Sequence, residues 1–418
     1  MHPDKIQKLL DRYLGIPLVC SLGLPNASRT KTDIFRRILF IQISAIGDVI
    51  LLTPALRTIR KQFPHSHLTM VTSPINQQLL QNCPYLDEIL TFRMNESTKS
   101  FVPFVLSLRE RRFDLAIDFE HWPRLTALLA YLSGAPRRIS FRTSGQYRHY
   151  VFTDTVEHVR GKHELLSFLA IAKLLDCDTE NTELEVWPGA EDFNWVEKFL
   201  KENGIEDNPL APPFLPPVDG GDGGGKGDNV PLIGIHPDAG RTEPRRRWTK
   251  EGYQQVADTL AQKYGAQIIL TGAPSEVELS KQIASMMQAK AIIAAGKTNI
   301  NQLAALFSRC QLVLCGNCGP MHLAAAVKTP VVALHGPTNP AQWGPWGEGH
   351  TIICSDMPCS PCLNLGFEYG CKSLPDGTSQ CMNTISVEAV LSACKHQMEL
   401  KSKRVCEKRR ILDFSHTI

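Results

Sequence analysis

The chain alternates continuous apolar runs with segments whose apolar residues recur every three or four positions. Ile38 to Ile43 (ILFIQI) is such a run, and Val49, Leu52, Leu56, Ile59 and Phe63 follow at helical steps. A run without polar alternation suits a parallel strand covered on both faces, and the recurring positions give a helix one buried face. The pattern continues through expected strands at His67–Thr72, Glu88–Phe92 and Leu115–Phe119, and another opening at Arg137–Ile139. Helices are expected at Ile75–Gln81, Val102–Arg111, Pro123–Leu132 and 161–175. Thr53–Pro54 suits the cap and first residue of the regular part of the first helix, and Asp176–Cys177–Asp178 reads as a turn.

From Gly204 to Pro231 the pattern stops. Pro212, Pro213, Pro216 and Pro217 precede GGDGGGKGD, a composition with no capacity to bury a core. The alternation then restarts, with strands expected at Leu232–His236, Gln267–Thr271, Ala291–Ala294, Leu312–Leu314 and Val331–Leu334. Helices fall at Gly252–Tyr264, Glu276–Met287 and Ile300–Ser308, with a short one from Pro320 and a closing one over 385–400. The expected organisation is a helical extension (1–35), a first α/β domain (36–204), a linker (205–231), a second α/β domain (232–395) and a basic tail (396–418). In the extension Ile6, Leu9, Leu10 and Tyr13 share one helical face. The fold class is α/β: two Rossmann-like domains with parallel sheets, facing each other across a cleft.

Composition narrows the function classes. With 43% hydrophobic and 21% charged residues, the 418-residue chain is ordinary for a globular protein, and a net charge of +3 gives no argument for nucleic acid. Asp4 and Asp11 interrupt what would otherwise be a secretory arrangement, and no apolar run reaches spanning length, so a cytoplasmic location is expected. Thirteen cysteines cannot all pair within one chain.

Candidate chemistry sits at the strand ends. Gly316–Asn317–Cys318–Gly319 is a tight turn between a buried strand and a helix that carries Pro320 in its first turn, where a missing N–H costs nothing. Open α/β sheets bind anions at such a turn, and His322 lies in the same first helical turn. Asp48 occupies the matching place after the first strand; capping its helix is the plain reading of its spacing. Basic residues gather at Arg137, Arg138, Arg142 and Arg148, which reads as a solvated face unless an anionic acceptor binds there. Cys359, Cys362, Cys371 and Cys381 form a Cys-x2-Cys followed by two further cysteines. A structural zinc, reduced thiols in a loop, and disulfides remain open for them.

Ser44–Ala45–Ile46–Gly47–Asp48 with Pro54–Ala55–Leu56, then GNCGPMHLAAA and ALHGPTNP, resemble glycosyltransferase family 9, best known for the ADP-heptose:lipopolysaccharide heptosyltransferases. The resemblance spans about 36–395 and implies a GT-B fold, with a sugar nucleotide in the C-terminal domain and an acceptor in the N-terminal one. It implies an inverting transfer that needs no catalytic metal or other cofactor, with Asp48 as general base. Carried over motif by motif, the donor-binding set is Arg246, Glu276, Asn317, Cys318, Gly319, Pro320, Met321 and His322. Arg246 stands where the family usually has Lys, and Glu276 matches the acid that meets the ribose. Asn317 replaces the usual Asp and Cys318 the usual Ser or Thr, which bears on donor identity. The four-cysteine segment also resembles a feature of some relatives. Expected partners are ADP-heptose or another nucleotide sugar and a lipopolysaccharide-core or other lipid-linked or surface-glycan acceptor, reached at the inner face of the cytoplasmic membrane. A sugar-nucleotide epimerase and a non-catalytic nucleotide-sugar binding protein are the competing readings.

Overall fold

The computed structural model describes residues 11–23, 34–93, 98–205, 230–239, 244–363 and 370–399. The helix face at Ile6, Leu9 and Leu10, the body of the linker and the tail beyond 399 lie outside the described residues. The chain forms two compact units that divide between Trp187 and Pro188.

The first unit holds six strands: β1 (Arg37–Ile41), β2 (His67–Thr72), β3 (Glu88–Thr91), β4 (Leu115–Asp118), β5 (Arg137–Arg142) and β6 (Asp154–Glu157). Every pairing is parallel, in the order β3-β2-β1-β4-β5-β6. Ile38 lies opposite Leu68 on one side and Leu115 on the other, and Ile38 to Ile41 are fully buried, as their unbroken apolar run requires. The helix Ile46–Gln62 leaves β1 almost at once and packs on the helix Glu164–Lys173. It begins eight residues before Pro54, so Thr53–Pro54 does not start it. Pro54 sits inside, and the Thr53 hydroxyl donates to the Ile50 carbonyl (2.8 Å), the acceptor that a proline N–H cannot serve.

The basic cluster is not one solvated face. Arg148 is fully buried and paired with the equally buried Asp118, and buried Arg138 donates to the carbonyls of Val151 (2.8 Å) and Ala135 (2.7 Å). Arg142 alone of the four is exposed. The described part of the N-terminal extension docks on this unit. Asp11 accepts from the Arg124 and Leu125 amides and pairs with the Arg124 guanidinium (2.8 Å), so it caps the helix Arg124–Leu132 from outside.

The second unit repeats the arrangement with β7 (Leu232–His236), β8 (Gln267–Leu270), β9 (Ile292–Ile293), β10 (Leu312–Gly316), β11 (Val331–His335) and β12 (Thr351–Cys354). Its parallel order is β12-β11-β10-β7-β8-β9, the same connectivity as the first sheet. A helix not expected from sequence, Ala190–Glu202, belongs here and not with residues 36–187. It buries Val196, Phe199 and Leu200, packs on the helix Ile300–Arg309, and adds an ion pair from Glu197 to Arg309. The first unit therefore ends before the residue 204 expected for it.

Candidate functional site

Both sheets have the order in which crossovers reverse between the two central strands, leaving a crevice at the strands' carboxyl ends. In the second unit those ends are His236 of β7 and Gly316 of β10, which lie on neighbouring strands. A Cβ on Gly316 would come within 3.0 Å of the Arg246 carbonyl oxygen, so glycine lets the turn Pro244–Arg246 lie against the strand end. Arg246 Nη1 reaches Asn317 Oδ1 in a long contact of 3.5 Å, while Asn317 Nδ2 donates to the Trp343 carbonyl (2.8 Å). The amide thus turns its oxygen to the guanidinium without cancelling its charge, which an aspartate would do.

The helix Gly319–Ala326 starts at the same point, with Cys318 as cap and Pro320 in its first turn. Cys318 makes no side-chain bond to the helix; its thiol instead meets Cys315, and that contact with burial pushes the Cys315 thiol well up. Cys318, Gly319 and Pro320 are partly exposed. Met321 and His322 are buried, so a ligand at this end would meet their backbone more than their side chains. The three neighbouring arginines divide their work. Arg247 is held by Asp238 through two bonds (2.5 and 2.8 Å), Arg245 donates to the Cys371 carbonyl (2.8 Å), and Arg246 faces Asn317.

Glu276 stands at the end of β8, buried, with Oε2 accepting from the Ala273 amide (2.7 Å) and 3.7 Å from His236 Nε2. Gly272 leaves room there, since a Cβ would crowd Glu276 Cβ at 3.1 Å. Burial raises the Glu276 carboxyl and depresses His236 to about 4, leaving the imidazole neutral at physiological pH. His335, at the end of β11, is likewise held at about 4 by burial and bonds the Thr338 hydroxyl through Nδ1 (2.8 Å). His236, Asp238 and His335 were not singled out from sequence. Each ends or follows a strand, and that position was the available signal.

In the first unit Asp48 lies in the first turn of the helix Ile46–Gln62, partly exposed, at a helix end that favours negative charge. The cap of that helix is Ala45, with no side-chain cap bond. The crevice beside it is filled from within. Glu120, buried after β4, accepts from the amides of Ile43 (2.9 Å) and Ser44 (2.6 Å), and its second oxygen takes the Ser44 hydroxyl (2.7 Å).

Cys359 is exposed, Cys362 and Cys371 are partly exposed and Cys381 is buried. Burial raises the Cys371 thiol, helped by Cys362 and Cys381 close by. All twelve cysteines among the described residues are free thiols. Among the described residues these four do not bring three sulfur atoms within 4.8 Å of one another.

The family model for glycosyltransferase family 9 (heptosyltransferase) matches residues 103–372. The chain belongs to glycosyltransferase family 9. It is 25% identical over 314 residues to lipopolysaccharide heptosyltransferase 3 of Escherichia coli strain K12, covering 72% of this chain and 83% of that one. A solved family 9 glycosyltransferase from Veillonella parvula superposes with a TM-score of 0.68 at 25% identity, covering 87% of this chain and 97% of that one. The structure of E. coli ADP-heptose lipopolysaccharide heptosyltransferase II gives 0.65 at 20% identity, over 87% and 99%. The fold is thus of the GT-B class and the protein is a glycosyltransferase, which disfavours the epimerase and binding-protein readings. Asp48 precedes the residues matched by the family model.

Proposed function

We propose that this family 9 enzyme transfers a heptose from ADP-heptose, with inversion, to a lipopolysaccharide-core acceptor. The observation that supports it best is the β7/β10 strand-end site of the second unit, where the start of the helix Gly319–Ala326 and the Arg246 guanidinium meet in a family 9 chain. In this reading Asp48 takes the proton of the acceptor hydroxyl as that oxygen bonds to the anomeric carbon. The bond from that carbon to the diphosphate breaks, and its electron pair leaves with the nucleoside diphosphate. The Gly319 N–H at the positive start of the helix Gly319–Ala326, together with Arg246, stabilises the charge that builds there. Glu276 meets the ribose through the oxygen not held by Ala273, and Asn317 and Cys318 bear on which sugar is accepted.

No helix among the described residues is long and apolar enough to cross a membrane. The reading places the enzyme in the cytoplasm, meeting its lipid-linked acceptor at the inner membrane face. It needs no catalytic metal. A structural zinc on Cys359, Cys362, Cys371 and Cys381 is left out of this reading, because among the described residues these four do not bring three sulfur atoms within 4.8 Å of one another.

The test is a thermal-shift panel of ADP-, GDP-, UDP- and dTDP-sugars, followed by transfer assays on wild type and Asp48→Asn. A ligand at a hundred times its dissociation constant adds about 2.7 kcal/mol. Selective stabilisation by ADP-heptose is expected, and Asp48→Asn should keep it while turnover falls roughly 10²- to 10⁴-fold. Near wild-type turnover in the variant would refute Asp48 as base, and selectivity for another nucleotide would replace the donor.

A further inference from the structure

Apart from the donor and base residues, the first unit gathers three buried ligand-type side chains at its strand ends. His121 follows β4, His158 follows β6, and Glu164 opens the helix Glu164–Lys173. One ligand atom from each lies within 4.8 Å of the others. His158 Nε2 stands 3.0 and 3.1 Å from the two Glu164 oxygens, and the rings of His121 and His158 stack 4.5 Å apart. Two ligands each about 2.0–2.2 Å from one metal ion are spaced about 3 to 3.5 Å apart, so the His158–Glu164 separation already has a metal-ligand span.

Of the buried acids in this unit, Asp118 pairs with Arg148 and Glu120 is held by the amides of Ile43 and Ser44, while the Glu164 oxygens face His158. His158 Nδ1 is buried with no hydrogen-bond partner among the described residues. Neutral imidazoles and a carboxylate are the donor set of zinc and of other first-row divalent ions.

We propose that His121, His158 and Glu164 form a site for one divalent transition-metal ion, zinc by preference, that ties the ends of β4 and β6 to the helix Glu164–Lys173. That helix packs on the one that carries Asp48, so the ion braces the scaffold of the base and takes no part in the transfer.

The full-length chain, stripped with a chelator and reloaded with Co²⁺ or Zn²⁺ alone, tests this. One equivalent of cobalt with visible d–d bands but no sulfur charge transfer is expected. His158→Asn and Glu164→Gln should lose that equivalent, and Cys359→Ser with Cys362→Ser should keep it. X-ray absorption on the zinc-loaded wild type does not depend on any variant folding. A shell of nitrogen and oxygen with imidazole scattering supports the site. A sulfur-only shell, no bound metal, or equal stoichiometry in the folded His158→Asn and Glu164→Gln variants overturns it.

Discussion

The two sheets share one connectivity but treat their central crevices in opposite ways. In the first unit the amides after β1 are taken by the protein's own carboxylate, Glu120, and the next layer is an internal Asp118–Arg148 pair. In the second unit the neighbouring central strand, β10, which corresponds to β4, leads into a partly exposed helix start beside Arg246, with no side-chain cap. A Rossmann-like sheet is therefore not in itself a nucleotide site. What decides is whether an internal anion already satisfies the strand-end amides.

The largest effect that would break this contrast is on the filled side. Arg148→Met strands a buried Asp118 carboxylate and should cost about 3–5 kcal/mol in urea denaturation. Adding Asp118→Asn should recover much of that, and no recovery would mean that the pair is not the reason for the loss. On the open side, Arg246→Ala removes the guanidinium proposed to meet the donor diphosphate, a charged contact worth about 1.5–3 kcal/mol, so donor affinity by calorimetry should fall roughly 10- to 150-fold with the melting temperature unchanged. Unchanged affinity would remove Arg246 from the donor site.

The smallest effect concerns pH. His335 has its pKa lowered to about 4 in the folded state against an ordinary 6.5, so the unfolded chain binds more protons between those values. The contribution is fully present above pH 6.5 and is lost as pH falls towards 4. Wild type should lose about 1 kcal/mol more than His335→Asn between pH 7 and 5.5. Parallel stability curves for the two would show that His335 is not held neutral.

The alternation and the two sheets were legible because the buried runs Ile38–Ile41 of β1 and Leu312–Cys315 of β10 carry no charged or amide residue to blur them. The edge strands β6 and β12 escaped notice, being short and exposed at every second residue. The helix Ala190–Glu202 carries its apolar residues at helical steps, but the neighbouring Pro- and Gly-rich stretch drew the boundary past it. Arg148 looked like any surface arginine, since its partner Asp118 stands 30 residues earlier and nothing local signals the pairing. Asp48 and Asn317 were visible because turn chemistry marks strand ends. Glu120 was not, because its role depends on amides 76 and 77 residues away.

Asp11 caps a helix that begins 113 residues later. At about 5–20 residues per second, a ribosome needs roughly 6 to 23 s to supply that helix after Asp11 has emerged. During that interval β1 and β2 have both been made, while the N-terminal segment still has no surface on which to settle. Its docking is thus a late event in the birth of the first unit, though its residues are synthesised before the rest of that unit.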